Sequence, residues 1–244
     1  MVDTLLILGG RSEIGLATAR EFARNGFDII LASRNSQRLK FEKSDLEIRH
    51  GINVHLAEFD AERPEVHPEF YRNLPVPVDV VLYSAGYLGD QSVAGTDFHE
   101  ADRIISVNYR GAVSILSLVA DDFEARKAGV IIGIGSVAGD RGRKSNYIYG
   151  SAKAGFATFL AGLRHRLDNS GVRVVTIKPG FVDTRMTSSL TLPTMLTAQP
   201  SQLAAAIFRS YRSNRHTVYY LPVWRMIMFA IRNIPERIFV KTKM

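Results

Sequence analysis

The chain has 244 residues, of which 46% are apolar and 23% charged, and it carries a net charge of +7 at pH 7. This length allows one large α/β domain with a substantial core. The absence of cysteine excludes disulfides and thiolate catalysis, and the six histidines form no pattern typical of a metal site. No recognised nucleic-acid motif accompanies the positive charge, which an anionic cofactor, substrate or membrane surface also explains.

The first segment combines a strand, a glycine-rich turn and a helix. Residues 4–8 form an apolar run without alternation, which predicts a strand buried on both faces. A helical pattern then runs through Leu16, Ala19 and Phe22. Glycines let backbone approach a pyrophosphate, and a helix N-terminus offers free N–H groups and the positive end of its dipole. We therefore expect a phosphate cradle formed by Gly9, Gly10, Arg11, Ser12, Glu13, Ile14 and Gly15.

Residues 27–32 are predicted to form the second strand, and the residues after it indicate the cofactor. Dinucleotide folds that prefer NAD place an acidic residue near this point, where it binds the ribose hydroxyls. Ser33 and Arg34 stand there instead, and the next carboxylate is Glu42. An arginine suits a 2′-phosphate, and Arg11 could clamp the same group, so the sequence favours NADP(H) over NAD(H). The alternative is that Arg34 is a solvated residue at the start of a helix.

The next segment is predicted to contain a charged helix and the third strand. Ser36 is expected to cap the helix, which ends near Gly51, and residues 52–59 form the strand. Asp60 and Ala61 follow it. A carboxylate here could bind the adenine amino group of the cofactor; alternatively, it caps the next helix.

Residues 78–83 are predicted to form the fourth strand, and a long helix is predicted over about 98–126. Asn108 lies inside that helix although asparagine is a mediocre helix former. It either kinks the helix and holds a water beside the Lys153 ammonium, or faces solvent. Small residues follow the fourth strand, where backbone would approach a ligand: Ser84, Ala85 and Gly86.

The fifth strand, residues 130–134, leads to Ser136, and a helix bearing Tyr149 and Lys153 follows. Residues four apart on a helix lie on one face, one turn apart. A cation near a phenol favours the phenolate and lowers its pKa, which makes a tyrosine useful for proton transfer near neutral pH. The alternative is a chance surface pair.

Residues 172–177 are predicted to form the sixth strand, and ligands bind at the carboxyl ends of strands in open parallel sheets. Residues 185–200 contain several apolar side chains, namely Met186, Leu190, Leu192, Met195 and Leu196. They are predicted to form a mobile cover over the substrate or, alternatively, a helix that packs on the core. Candidate cofactor contacts after the strand are Pro179, Gly180, Val182 and Thr184.

A helix over 202–212 and a seventh strand over 217–221 complete an alternating pattern of strands and helices. Such alternation predicts an α/β fold of the Rossmann type: a doubly wound, seven-stranded, mostly parallel sheet with helices on both faces. We assign residues 1–222 to this single dinucleotide-binding domain.

Residues 223–244 form an extension that is first apolar and then basic. Its apolar stretch, 223–231, is too short to span a bilayer, which needs about 20 residues. An apolar segment with an aromatic residue and basic flanks suits a membrane interface. The alternatives are an oligomer contact or a flap over the active site.

Together these features resemble the short-chain dehydrogenase/reductase family over residues 3 to about 221. Ser136, Tyr149 and Lys153 match its catalytic residues, and Asn108 matches its helix asparagine. The segment from Pro179 to Thr184 matches the one that packs against the nicotinamide, and Asp60 matches the adenine contact. The resemblance implies an NADP(H)-dependent ketone reductase in which Tyr149 donates the proton, Ser136 binds the carbonyl oxygen, and Lys153 lowers the pKa of Tyr149 and binds ribose. One departure concerns the glycine loop, where Leu8 and Glu13 replace a threonine and a glycine.

A narrower resemblance points to reductases of this family that act on a keto-sugar carried by a polyprenyl phosphate. It rests on the loop 88–90, residues 138–141 and 184–186, and the tail 232–239, besides the glycine loop. It implies a lipid-linked or otherwise bulky substrate. Separately, we expect a cytoplasmic homo-oligomer, dimer or tetramer, with membrane association through the tail as one of the alternatives given above. The alternatives are another apolar carbonyl substrate (a steroid, fatty-acyl or retinoid group) and a non-catalytic protein that senses the cofactor or acts as a scaffold.

Overall fold

Seven strands form one sheet in which every neighbouring pair is parallel. The computed structural model describes residues 2–188 and 191–242. The sheet order is β3-β2-β1-β4-β5-β6-β9, and a separate two-stranded sheet pairs β7 with β8. The strands are β1 Thr4–Leu8, β2 Asp28–Ser33, β3 Val54–Glu58, β4 Val80–Tyr83, β5 Gly129–Ile134, β6 Val172–Pro179, β7 Phe181–Val182, β8 Thr197–Ala198 and β9 Thr217–Tyr220.

Helices cover both faces of the sheet, and successive residues of each strand supply the two cores. In β1, Leu5 and Ile7 belong to the cluster under α1, α2 and α8, whereas Leu6 and Leu8 belong to the one under α3, α6 and α7. This explains why the strand is apolar without alternation. The α-helices are α1 Glu13–Arg24, α2 Lys40–His50, α3 His67–Arg72, α4 Gln91–Ala94, α5 Phe98–Ile105, α6 Gly111–Arg126, α7 Tyr147–Arg166, α8 Pro200–Tyr211, α9 Val223–Asn233 and α10 Glu236–Phe239. The predicted doubly wound fold is confirmed.

The start of the second helix differs from the prediction. Ser36 begins a 3₁₀ turn that runs to Leu39, and α2 begins only at Lys40. The backbone N–H of Ser36 donates to the Glu58 carboxylate at 2.9 Å, so a side chain from β3 satisfies this end. Gly51 ends α2 as predicted, in a left-handed conformation with φ +65°.

The predicted long helix consists of α5, a π-helical turn over Ser106–Arg110 and α6. Asn108 lies in this turn, so the helix is irregular at the asparagine, as predicted. The run 98–126 is long and apolar enough to cross a membrane, yet 56% of its most apolar window is buried inside the protein. Its apolar character therefore belongs to the core between α6, α7 and the sheet.

The described residues of the segment 185–200, namely 185–188 and 191–200, do not form the alternative core-packing helix. Two 3₁₀ turns, Arg185–Thr187 and Thr194–Leu196, flank the gap in the described residues, and β8 pairs with β7. Met186 and Met195 are exposed. The cover over the substrate stays a prediction, and Leu190 lies outside the described residues.

The C-terminal extension packs against the sheet end through one face of α9. Trp224 and Met228 are buried, and the Trp224 indole donates to the Leu196 carbonyl at 3.2 Å. A Cβ on Gly180 would lie 2.0 Å from the indole, so only glycine allows this contact. The opposite face of α9 is exposed and carries Met226 and Phe229 beside Arg225 and Arg232.

A single arginine from the loop before α7 holds the end of the extension. The Arg141 guanidinium donates to the carbonyls of Arg232 at 2.9 Å and Ile234 at 3.1 Å. It also pairs with Glu236 at 2.6 Å and lies 4.2 Å from the centre of the Phe239 ring. These contacts attach the extension to the turn that follows Ser136.

Candidate active site

Close packing of α7 against the turn after β5 brings Tyr149 towards Ser136. Ser136 has an extended backbone, and its hydroxyl accepts from the N–H of Ala138 in the 3₁₀ turn Val137–Asp140. A Cβ on Gly139 would lie 2.7 Å from the Ala154 nitrogen, and one on Gly150 would lie 2.9 Å from the Ala138 oxygen. The two glycines therefore allow a helix–turn contact that larger residues would prevent.

Lys153 is a buried cation in this contact, with a relative exposure of 3%. Its Nζ donates to the Ile134 carbonyl at 3.0 Å and lies 5.7 Å from the centre of the Tyr149 ring. Burial lowers the pKa of Lys153 to about 8 because a low-dielectric environment disfavours the charged form. Lys153 is therefore a cation at neutral pH that titrates in the mildly basic range.

The pKa of Tyr149 differs in direction from the prediction. Burial raises it to about 12, and the neighbouring Ser136 hydroxyl acts in the opposite sense. The predicted net lowering is wrong for this structure, because desolvation of the phenolate by burial is the largest effect on the pKa of Tyr149. Tyr149 is a neutral phenol at neutral pH and thus holds a proton that it can donate.

Asn108 is fully buried and fixes the loop that follows β4. Its Nδ2 donates to the carbonyls of Tyr87 at 2.6 Å and Ile104 at 2.8 Å, and its Oδ1 accepts from the Tyr87 N–H at 3.3 Å. The alternative that it faces solvent is wrong. A Cβ on Gly86 would lie 3.4 Å from Asn108 Oδ1 and 3.8 Å from Lys153 Nζ. Both polar groups thus adjoin Gly86, and the water held between Asn108 and Lys153 stays a prediction.

A cavity of about 290 Å³ collects most of the predicted cofactor residues at the carboxyl ends of β1, β2, β3 and β4. A larger cavity of about 910 Å³ lies beside β3 and contains none of them, so we assign the site to the smaller one. Predicted residues that line the smaller cavity are Gly9, Arg11, Ser12, Glu13, Ser33, Arg34, Asp60, Ala61, Ser84, Ala85 and Gly86. Sequence reasoning missed Phe59, Glu62, Val107 and Arg185 and did not assign Met186 to the cofactor.

The glycine loop has the geometry that a dinucleotide phosphate needs. Gly9 has φ +98°, and a Cβ on it would lie 2.5 Å from the Ala85 nitrogen. The Ser12 hydroxyl caps α1 by accepting from the Gly15 N–H at 2.9 Å. Free N–H groups and the positive end of the α1 dipole therefore face the cavity, and the loop fits an anionic dinucleotide.

Three predicted loop contacts lie behind the cavity wall. A Cβ on Gly10 would lie 3.2 Å from the Ala32 nitrogen, so this glycine packs on β2. Ile14 packs against the apolar core under α1. Gly15 is buried, and a Cβ on it would lie 2.8 Å from the Gly9 oxygen. All three support the loop and do not line the cavity.

The predicted contacts after β6 have other neighbours. Gly180 is covered by Trp224 and Val182 is part of the core, while the Thr184 hydroxyl contacts the Thr187 hydroxyl at 3.4 Å. Neither these residues nor Pro179 lines the cavity, whereas Arg185 does. Contact of the nicotinamide with the four predicted residues, Pro179, Gly180, Val182 and Thr184, stays a prediction.

Residues 3–194 match the model of the short chain dehydrogenase family. The chain belongs to the short-chain dehydrogenase/reductase family. It is 36% identical over 235 residues to an uncharacterized oxidoreductase of Mycobacterium tuberculosis, covering 95% of this chain and 94% of that relative. It is 32% identical over 192 residues to sulfoacetaldehyde reductase 2 of Chromohalobacter salexigens, covering 77% and 75%.

A solved structure shares the fold of this short-chain dehydrogenase/reductase. It is a short-chain dehydrogenase from Sphingobium yanoikuyae in complex with NADPH, with a TM-score of 0.82 and 24% identity, covering 96% of this chain and 97% of that one. The family membership and the fold make this chain an NAD(P)-dependent dehydrogenase or reductase.

Glu13, the departure from the family's glycine loop, has a partner on the opposite wall of the cavity. Its carboxylate accepts from the Arg185 N–H at 3.1 Å and from Arg185 Nε at 2.7 Å. Burial raises the pKa of Glu13, but the hydrogen bonds from Arg185 outweigh it and leave the pKa below its ordinary value. The charge of Glu13 is thus compensated, and the turn keeps its form without the usual glycine.

Proposed function

We propose that this enzyme is an NADP(H)-dependent reductase that converts a ketone into a secondary alcohol. The observation that carries the proposal is the Tyr149 phenol near the Ser136 hydroxyl, which acts to lower the pKa of that phenol, with the buried Lys153 beside it. A bound nicotinamide would supply the hydride. Tyr149 donates its proton to the carbonyl oxygen as negative charge develops there, and Ser136 hydrogen-bonds the same oxygen.

Lys153 stabilises the product of that proton transfer. After donation Tyr149 is a phenolate in a buried site, where an anion needs a nearby cation. The Lys153 ammonium is charged below about pH 8 and adjoins the ring. Asn108 keeps residues 86–87 in place beside this cation and, as the family resemblance implies, holds the water that returns a proton to it.

Two arginines on the cavity wall support a preference for NADP(H). Arg11 and Arg34 both line the cavity, and Ser33 stands where an acidic residue would bind the ribose of NAD.

We expect Arg34→Gln to weaken NADPH binding about tenfold, because a charge-assisted contact to a phosphate contributes on the order of 1.4 kcal/mol. NADH binding should change less than twofold, since NADH has no 2′-phosphate. Fluorescence titration of both cofactors measures this, and an equal loss for both would contradict it.

For the substrate we propose a keto-sugar carried on a polyprenyl phosphate. The support is the likeness to the decaprenylphosphoryl-2-keto-ribose reductase, together with the exposed apolar side chains of Met186 and Met195 after β6. A screen that follows NADPH consumption should compare this keto-sugar with a steroid ketone, a fatty-acyl ketone, retinaldehyde and sulfoacetaldehyde. Turnover that is fastest with any of the other four would overturn the substrate assignment.

Contact with an anionic membrane is proposed for the extension, in a cytoplasmic homo-oligomer, dimer or tetramer. Met226 and Phe229 on the outer face of α9 are 75% and 72% exposed. They line a groove of about 420 Å³ with Arg225 and Arg232, so apolar and cationic groups alternate on this surface. Such a surface suits the interface of a bilayer that carries anionic lipids.

We expect Phe229→Ser to reduce sedimentation with anionic liposomes several-fold, because it removes an exposed apolar contact and leaves the buried Trp224 and Met228 in place. Phe41→Ser is the matched control, since Phe41 is 88% exposed on α2, far along the chain from the extension. Equal sedimentation of the two variants, or of the wild type with and without liposomes, would contradict the membrane contact.

A further inference from the structure

Glu62 lies on the wall of the cofactor cavity, two residues after Asp60, and three arginines converge on it. Its Oε1 is 2.6 Å from Arg34 Nη1, and its Oε2 is 3.6 Å from Arg103 Nε. Arg110 donates to its backbone carbonyl at 3.4 Å. One carboxylate therefore stands beside two guanidinium groups, and one of these belongs to the arginine that suits a 2′-phosphate.

A phosphate that binds Arg34 meets Glu62 as a competitor. Carboxylate and phosphate oxygens use the same N–H donors of a guanidinium, often two at a time. A phosphate held by Arg34 also lies near the Glu62 carboxylate, and like charges at short range repel. Both effects weaken the binding of a 2′-phosphate and do not act on a ribose that lacks one.

Arg34 can also move away from Glu62 without leaving the Glu62 carboxylate unpaired. Glu62 and Arg34 are partly exposed, so their pair contributes little to stability. When Arg34 binds another anion, Arg103 remains beside Glu62. The Glu62 carboxylate would therefore keep a cationic neighbour while Arg34 changes partner.

We propose that Glu62 sets the cofactor discrimination of this enzyme by competing with the 2′-phosphate for Arg34. This inference rests on the proposed NADP(H) preference. It implies that Glu62 limits how much more tightly NADP(H) binds than NAD(H). A purely structural pair would hold the turn after β3 and affect all adenosine ligands equally. Competition affects only ligands with a 2′-phosphate.

The test uses calorimetric titration of 2′,5′-ADP and 5′-AMP into the full-length wild type, Glu62→Gln and Arg34→Gln. We expect Glu62→Gln to bind 2′,5′-ADP about fivefold to tenfold more tightly, as loss of one repelling charge on a partly exposed wall predicts. Binding of 5′-AMP should stay within about twofold, and the gain should shrink as ionic strength rises. Glu65→Gln is the matched control, because Glu65 pairs with Arg63 in the adjoining turn and does not line the cavity.

The outcomes separate the two proposals. If wild type prefers 2′,5′-ADP and Glu62→Gln leaves that preference unchanged, the role of Glu62 is overturned while the NADP(H) preference stands. If wild type shows no preference but Glu62→Gln acquires one, the competition is supported and the NADP(H) preference fails. If neither protein discriminates, or Glu62→Gln changes both ligands equally, the role of Glu62 is overturned. Glu62→Ala gives the same readout should Glu62→Gln unfold.

Discussion

Tyr149→Phe is expected to lower the turnover of the ketone by at least about a hundredfold, since proton transfer by a positioned side chain contributes roughly 10² to 10⁴ in rate. The variant keeps the ring and loses only the hydroxyl that holds the proton. NADPH affinity should remain within about twofold, because the hydroxyl lies on the Ser136 side of the site and does not line the cofactor cavity. Initial rates and a cofactor titration on the same preparation measure the two quantities.

Tyr147→Phe is the matched control for this experiment. Tyr147 lies two residues before Tyr149 on the same helix and is 49% exposed, and a serine, not a lysine, stands four residues after it. We expect loss of the Tyr147 hydroxyl to change turnover by less than about twofold. Full activity of Tyr149→Phe, or an equal loss in both variants, would refute the assignment of Tyr149 as proton donor.

Lys153→Met should be inactive and, at neutral pH, more stable than the wild type. The fall in the pKa of Lys153 from 10.5 to about 8 means that burying its charge costs on the order of 3 kcal/mol at neutral pH. Loss of the hydrogen bond to the Ile134 carbonyl offsets roughly 1 kcal/mol of this. We therefore expect a net gain of about 1 to 3 kcal/mol and a melting temperature a few degrees higher.

The stability advantage of Lys153→Met over the wild type should decrease as the pH rises. Between about pH 8 and 10.5 the unfolded wild type binds more protons at Lys153 than the folded protein, so its stability rises with pH. The variant lacks this term, and its advantage should shrink across that range. Thermal unfolding from pH 7 to 10 measures the difference, with Lys144→Met as the control because Lys144 is exposed in the loop before α7. A difference that is constant with pH, or a less stable Lys153→Met, would contradict the burial cost.

The strands and the glycine loop could be predicted because their signals are local. An apolar run such as residues 4–8 indicates burial on both faces, and a glycine such as Gly9 marks backbone that a side chain would obstruct. Family resemblance also located Ser136, Tyr149 and Lys153, and the structure brings these three together.

Other parts of the site depend on contacts between distant residues, which no local pattern reveals. The Glu13–Arg185 pair spans 172 positions of the sequence. Gly180 looks like a ligand contact in the sequence, but its missing Cβ makes room for Trp224. The pKa of Tyr149 was predicted in the wrong direction because spacing on a helix shows a neighbouring cation but not the loss of solvent around both groups.

Trp224 is the one tryptophan of this chain, so intrinsic tryptophan fluorescence reports on its position alone. The indole is buried against Gly180 and donates a hydrogen bond to the Leu196 carbonyl. It therefore lies between the extension and the segment after β6. Indole emission depends on the polarity around the ring, so its spectrum reports whether the extension is seated on the sheet. Emission from a single tryptophan comes from this one place, and a shift on adding NADPH, substrate or liposomes would therefore show directly, without a label, that the event reaches the extension.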